Sequence, residues 1–142
     1  MSQVKLVCRN DTADKLPPRL GQTFSGLLGR IIKLVDLKFS EVNVIMVSPA
    51  LIRQLNRSYR HHDRVTDVLS FTYTPRPVSG EIIICLAQAV SQARRHRHSL
   101  EQELKLLFVH GSLHLAGHDH MKPGERRLMR ALESKALNKS SL

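Results

Sequence analysis

Four of the eight histidines in this chain fall within eleven positions of one another, in the run F-V-H-G-S-L-H-L-A-G-H-D-H at residues 108–120. No other stretch limits so strongly what the chain can become. Leu104, Leu107, Phe108 and Leu115 recur at helical spacing, which predicts a helix with His110 and His114 one turn apart on the same face. Two imidazoles at i and i+4 on a rigid helix can bind one metal ion without further ordering of the backbone. Gly117 supplies a helix stop, read as a left-handed residue, after which the chain can double back. That reversal would carry His118, Asp119 and His120 toward the metal. The pattern is H-x3-H-x5-H, with a helix holding the first two ligands and a turn presenting the third.

Size and composition bound the rest. The 142 residues suit one domain, spanning 1–142, large enough for a genuine core but too small for two. A net charge of +10, from 22 basic and 12 acidic residues, favours a polyanionic partner. Aromatics make up only 4% and tryptophan is absent, which argues against a large base-stacking platform. No apolar run approaches the roughly 18 residues of a membrane span. The first ten residues are too short and polar for a secretory signal, so a cytoplasmic protein with no membrane association is expected. Cys8 and Cys85 fall in separate strand-like segments and read as buried, reduced thiols.

Taken in order, residues 4–7 read as a first strand, and residues 10–18 as a polar connection ending in two prolines. From Leu20, the positions Phe24, Leu27, Leu28, Ile31 and Val35 predict a helix packed on a sheet. Gly21, Gly26 and Gly29 each weaken it by about 1 kcal/mol relative to alanine, so burial must hold it. Val42, Val44 and Met46 mark a second strand. Ser48-Pro49 is a helix start with an N-cap and a first-turn proline, and that helix ends near Tyr59. Residues 67–73 and 80–85 are strands joined by a turn-rich 74–79. Residues 86–98 are helical, Ser99-Leu100-Glu101-Gln102 resembles a capping box opening the histidine-bearing helix, and Pro123 opens the last helix. A frayed tail is expected at residues 138–142. The fold class is α+β, a small mixed four-stranded sheet covered by helices.

A second block joins the histidine run: Leu55-Asn56-Arg57-Ser58-Tyr59-Arg60, then Thr66-Asp67-Val68-Leu69-Ser70-Phe71, then Gly80-Glu81-Ile82-Ile83-Ile84-Cys85. With F-V-H-G-S-L-H-L-A-G-H-D-H, these resemble, in the same order, the motifs of the YbeY family, bacterial rRNA maturation factors regarded as zinc-dependent endoribonucleases. The family patterns are similar to L-N-x-x-Y-R, P-T-D-V-L-S-F-P and G-D-I-x-I-C. The chain departs from them at Val65 and Thr72, where prolines are usual, at Glu81, where Asp is usual, and in a short connection from Phe71 to Gly80. The metal motif is untouched.

The resemblance implies a zincin-like metallohydrolase architecture and one Zn2+ per chain, held by His110, His114 and His120. It also implies a catalytic role for Arg60 alongside His114. The partners it implies are single-stranded RNA, rRNA, and the small ribosomal subunit with its assembly factors. His118 stands where the family commonly has an aromatic and is read as a surface residue or one behind the ligands. Three neutral imidazoles leave one tetrahedral position open, as in catalytic rather than structural zinc sites, and a water there has its pKa lowered from about 15.7 to around 7. A closed structural site would need a fourth ligand from His118, Asp119 or Cys85.

Zinc peptidases of the H-E-x-x-H type take their general base from the position occupied here by Gly111, which counts against peptide hydrolysis. Asp67 and Asp119 are the nearest candidate bases. Asp119 is read first as orienting a ligand imidazole from behind, and Asp67 can equally cap a turn. Arg60 suits bidentate capture of a phosphate. Arg53, Arg57 and Arg64, with Arg60, are candidate RNA contacts, and Arg94, Arg95 and Arg97 form a second basic cluster. Nothing encodes a base-specific reading, so selectivity would come from RNA shape or a partner. The rival reading is a ribosome-assembly factor whose metal mainly fixes the fold, with a metallopeptidase as a third.

Overall fold

The structure, a computed structural model, describes residues 4–119 and 121–137. His120, the third expected ligand, and the tail expected at residues 138–142 lie outside the described residues.

Four strands form one sheet: β1 (Lys5–Asn10), β2 (Phe39–Val47), β3 (Val68–Pro75) and β4 (Val78–Cys85). Their order is β1-β2-β4-β3, with β1 parallel to β2, β2 parallel to β4, and β3 antiparallel to β4. The expected α+β class with a small mixed sheet therefore holds. β4 is central, and Ile82, Ile83, Ile84 and Cys85 are buried on alternate faces, the continuous apolar run expected of a strand covered on both sides. β3 is an edge strand whose far end is exposed from Thr72 onward.

Five helices cover the sheet: α1 (Leu20–Val35), α2 (Pro49–Arg60), α3 (Leu86–His96), α4 (Leu100–Leu115) and α5 (Pro123–Ala136). On one face, Val42, Val44, Met46, Ile82 and Ile84 pack with the apolar stripes of α1 and α4 and with Met129, Leu132 and Ala136 of α5. Phe24 of α1 stacks on Phe108 of α4, with ring centroids 4.3 Å apart. On the other face α2 closes a smaller cluster of Val47, Ile52, Leu69, Ile83 and Cys85. Burial does hold α1, as its glycines require: Leu20, Phe24, Leu27, Leu28 and Ile31 are all buried.

Element ends follow local chemistry. Ser48 Oγ accepts the Leu51 N–H at 3.2 Å and Pro49 occupies the first turn of α2. Several boundaries differ from expectation; β1, expected at residues 4–7, runs on to Asn10. The helix expected to reach residue 98 stops at His96, because Arg97 adopts a left-handed conformation with φ 56°. The turn expected at residues 74–79 shrinks to Arg76-Pro77, since both strands run into it. Thr74 Oγ donates to the Pro77 carbonyl at 2.7 Å and lies 2.6 Å from Ser79 Oγ, so polar groups pair where no apolar alternation marked a strand.

Candidate metal centre and cleft

α4 carries the histidine pair and is fixed at both ends. At its start Ser99 Oγ accepts the Gln102 N–H at 3.1 Å and Gln102 Oε1 accepts the Ser99 N–H at 2.9 Å, a complete capping box. At its end Gly117 has φ 96°, its N–H donates to the His114 carbonyl at 2.9 Å, and the His118 N–H donates to the Leu113 carbonyl at 3.0 Å. This paired 6→1 and 5→2 bonding is a Schellman turn, and it bends residues 118 and 119 back along the helix.

Midway, Gly111 lets α4 approach the sheet. A Cβ there would lie 2.8 Å from Ile82 Cγ2 and 3.1 Å from Ser70 Oγ. Ser70 Oγ instead donates to the Gly111 carbonyl at 3.1 Å. A general base at this helix position, as in the H-E-x-x-H peptidases, has no room.

On either side of that glycine, His110 and His114 turn inward together. Their Nε2 atoms lie 3.1 Å apart and their rings meet at 66°. Two nitrogens each about 2.1 Å from one tetrahedral ion stand about 3.4 Å apart. The pair therefore fits a shared zinc-type cation in spacing, and neutral imidazole fits it in chemistry.

The two imidazoles open on a cleft of about 580 Å³ that follows the edge strand β3. Arg60, Arg64, Asp67 and Asp119 line it too, so six of the expected site residues meet in one place. Arg60, at the last turn of α2, donates through Nη2 to the Ser70 carbonyl at 3.3 Å. Asn56, buried on the same helix, donates to the Arg64 carbonyl at 3.1 Å and ties down the segment that follows. Asp67 accepts from Gln92 Nε2 at 3.3 Å.

Other expected residues lie elsewhere. Arg53 pairs with Asp63 at 2.8 Å outside the cleft, and this hydrogen bond holds the exposed Asp63 carboxyl below its usual range. Arg57 is exposed on α2 and does not line the cleft. His118 is half-buried beyond the Schellman turn, also off the lining. Cys85 belongs to the small cluster under α2, on the sheet face away from α4, so it cannot complete the metal's coordination. Neither Cys8 nor Cys85 forms a disulfide; Cys85 is buried as expected but Cys8 only half-buried, and desolvation pushes each pKa up.

Two features were missed in the sequence. Glu133 of α5 brings Oε2 to 3.7 Å from His110 Nδ1, the ring nitrogen turned away from His114. Its only sequence signal is an acidic residue next to Leu132 on the buried side of α5. The second is a hub around Glu103, which is only 2% exposed. His96 Nδ1 and His98 Nε2 donate to its Oε1 at 2.9 and 2.6 Å, and Gln92 Nε2 donates to Oε2 at 2.9 Å. Burial pushes this carboxyl up, but those hydrogen bonds and the His96 charge outweigh it, leaving it below its ordinary value. Donor atoms of His96, His98 and Glu103 lie within 4.8 Å of one another, a set that could also hold a metal ion. Its H-x-H-x4-E spacing crosses the break between α3 and α4, so no single-helix period reveals it.

Fold and site together define an α+β protein with a helix-borne imidazole pair facing a cation-rimmed cleft, as the zincin-like expectation requires. The chain belongs to the YbeY endoribonuclease family: the family model described as Endoribonuclease YbeY matches residues 8–141. Endoribonuclease YbeY of Ureaplasma parvum is 36% identical over 129 residues, covering 88% of this chain and 82% of that protein. The protein of the same name from Heliobacterium modesticaldum is 40% identical over 121 residues, covering 75% and 73%. A Thermotoga maritima protein of known solution structure is 28% identical and superposes with a TM-score of 0.62, over 94% of this chain and 90% of that one. At the level of the family, the activity is that of an endoribonuclease.

Proposed function

We propose that residues 1–142 act as a single zinc-dependent domain that cleaves single-stranded RNA in the cytoplasm, in 16S rRNA 3′-end maturation and quality control of small ribosomal subunits. The observation that carries this reading is the convergence of His110 and His114 in the cleft that Arg60 and Arg64 rim. One Zn2+ per chain would be held by His110, His114 and His120. Bound there, it would supply Lewis acidity toward water or a ribose hydroxyl.

The chain's own groups do the rest. Arg60, held by the Ser70 carbonyl, offers its guanidinium to a phosphodiester and stabilises the charge that builds on it. Asp67 is the candidate to accept a proton, and Asp119, which also lines the cleft, orients a ligand imidazole. Gln92 fixes Asp67 from behind. A 2′,3′-cyclic phosphate product would assign the attack to the ribose hydroxyl rather than to water.

A second reading, an assembly factor whose metal is structural, draws on the Glu103 hub, which lies at the α3–α4 corner rather than on the α4 imidazole pair. One comparison separates the two. His114→Ala should keep the fold and the affinity for small subunits while cleaving a single-stranded oligonucleotide at least about 100-fold more slowly, since even changes behind a ligand cost about 10–100-fold. Cleavage at the wild-type rate by the folded variant would overturn the reading that the imidazole pair drives cleavage.

A further inference from the structure

The cleft runs along β3. β3 lies at the sheet edge, and its residues Val68, Leu69 and Ser70 line the cavity in order. Two consecutive residues of α2 meet two consecutive residues of β3: Arg60 reaches the Ser70 carbonyl at 3.3 Å, and Tyr59 meets Phe71 at a ring-centroid distance of 5.3 Å and an angle of 66°. An aromatic pair thus stands one strand residue beyond the phosphate-binding arginine. Phe71 is half-buried and anchors the contact, whereas Tyr59 is 66% exposed.

A single exposed aromatic is ordinary on a protein surface, so exposure alone carries nothing. The contrast with Tyr73, the other exposed tyrosine, is informative. It is 53% exposed on β3, but its hydroxyl donates to Glu81 at 2.5 Å, and a carboxylate beside it repels an RNA backbone. Tyr59 instead sits between Arg57 and Arg60 in sequence, and Arg60 lines the cleft.

We propose that Tyr59, buttressed by Phe71, is a stacking subsite for an unpaired nucleobase next to the phosphate that Arg60 holds. The inference rests on the RNA-cleaving reading and adds a source for its preference for single strands. Bases in a duplex already have both faces stacked, whereas an unpaired base can turn one face onto the ring. Stacking tolerates any base, which suits a chain with no base-reading code.

The test is binding of labelled 2′-O-methyl RNA octamers, which lack the ribose hydroxyl, to the full chain as purified, read by fluorescence anisotropy. Tyr59→Ala should weaken binding by about 5- to 150-fold, the range for loss of one base–aromatic stack. Tyr59→Phe should stay within about twofold of wild type, because the ring face is what acts. In octamers each carrying one abasic position, the position that weakens wild-type binding should have no effect in Tyr59→Ala. Duplex RNA should bind all three proteins alike. Unchanged single-strand affinity in a folded Tyr59→Ala, or an equal loss for duplex, would overturn the subsite alone. Failure of the wild-type protein to bind single-stranded RNA at all would overturn the functional reading with it.

Discussion

At the scale of single residues, a metal site on His110 and His114 would depend on what stands behind the two rings as much as on the rings. A metal-binding imidazole that gives its other N–H to a carboxylate is held in one tautomer and made more basic. Glu133 is the carboxylate placed to do this for His110, at 3.7 Å from Nδ1. That is an ion-pair distance rather than a hydrogen bond, and a bound cation polarising the ring would draw the two together. Glu133→Gln keeps the shape and removes the charge. It should reduce zinc affinity by about 10–100-fold in competition with a chelator, with the melting curve of the metal-free protein little changed. Equal affinity in variant and wild type would remove Glu133 from the site. Gly111 acts at the same scale in the opposite way, because its lack of a side chain lets His110 and His114 sit so close to β3.

At the scale of elements, α4 does most of the positioning, and its first turn is held by the Glu103 hub. The carboxyl is below its ordinary value in the folded protein, so it contributes stability above the unfolded value near 4.5 and loses it as pH falls through the lower folded value. Glu103→Gln should cost about 2–3 kcal/mol at neutral pH, the loss of hydrogen bonds to a buried charge. The gap between variant and wild type should narrow as the pH drops below about 4.5. Denaturant melts across that range would show it, and a gap that stayed constant with pH would mean the carboxylate's charge is not what stabilises the corner. Gln92, which donates to both Glu103 and Asp67, links this corner to the cleft, so the hub also orients a candidate base.

At the scale of the whole molecule, most of the scaffold was readable because its periods are strong. The α4 face, its capping box and its glycine stop stand in the sequence as residue types with a fixed local job. So does the apolar run of β4 as a strand, and these features are what place His110, His114 and Asp119. What escaped depends on contacts between elements. Glu133 is one acidic residue on a mostly polar helix until α5 docks on α4. His96, His98 and Glu103 straddle a helix break set by the left-handed Arg97. The outer half of β3 carries no alternation because an edge strand need not bury both faces. Among the arginines, charge alone does not separate Arg60 and Arg64, which reach the cleft, from Arg53, which Asp63 occupies.

With a net charge of +10 the chain is suited to a polyanion, but charge does not cut one. Cutting would fall to a cation held by the converged imidazoles. The most direct test strips the purified protein of metal, returns one equivalent of zinc, and follows cleavage of a single-stranded RNA oligonucleotide by wild type and His110→Ala side by side. Stripped wild type should not cleave, one equivalent of zinc should restore cleavage, and the variant should not recover. Full activity without metal, or equal recovery in both proteins, would contradict that role for the cation.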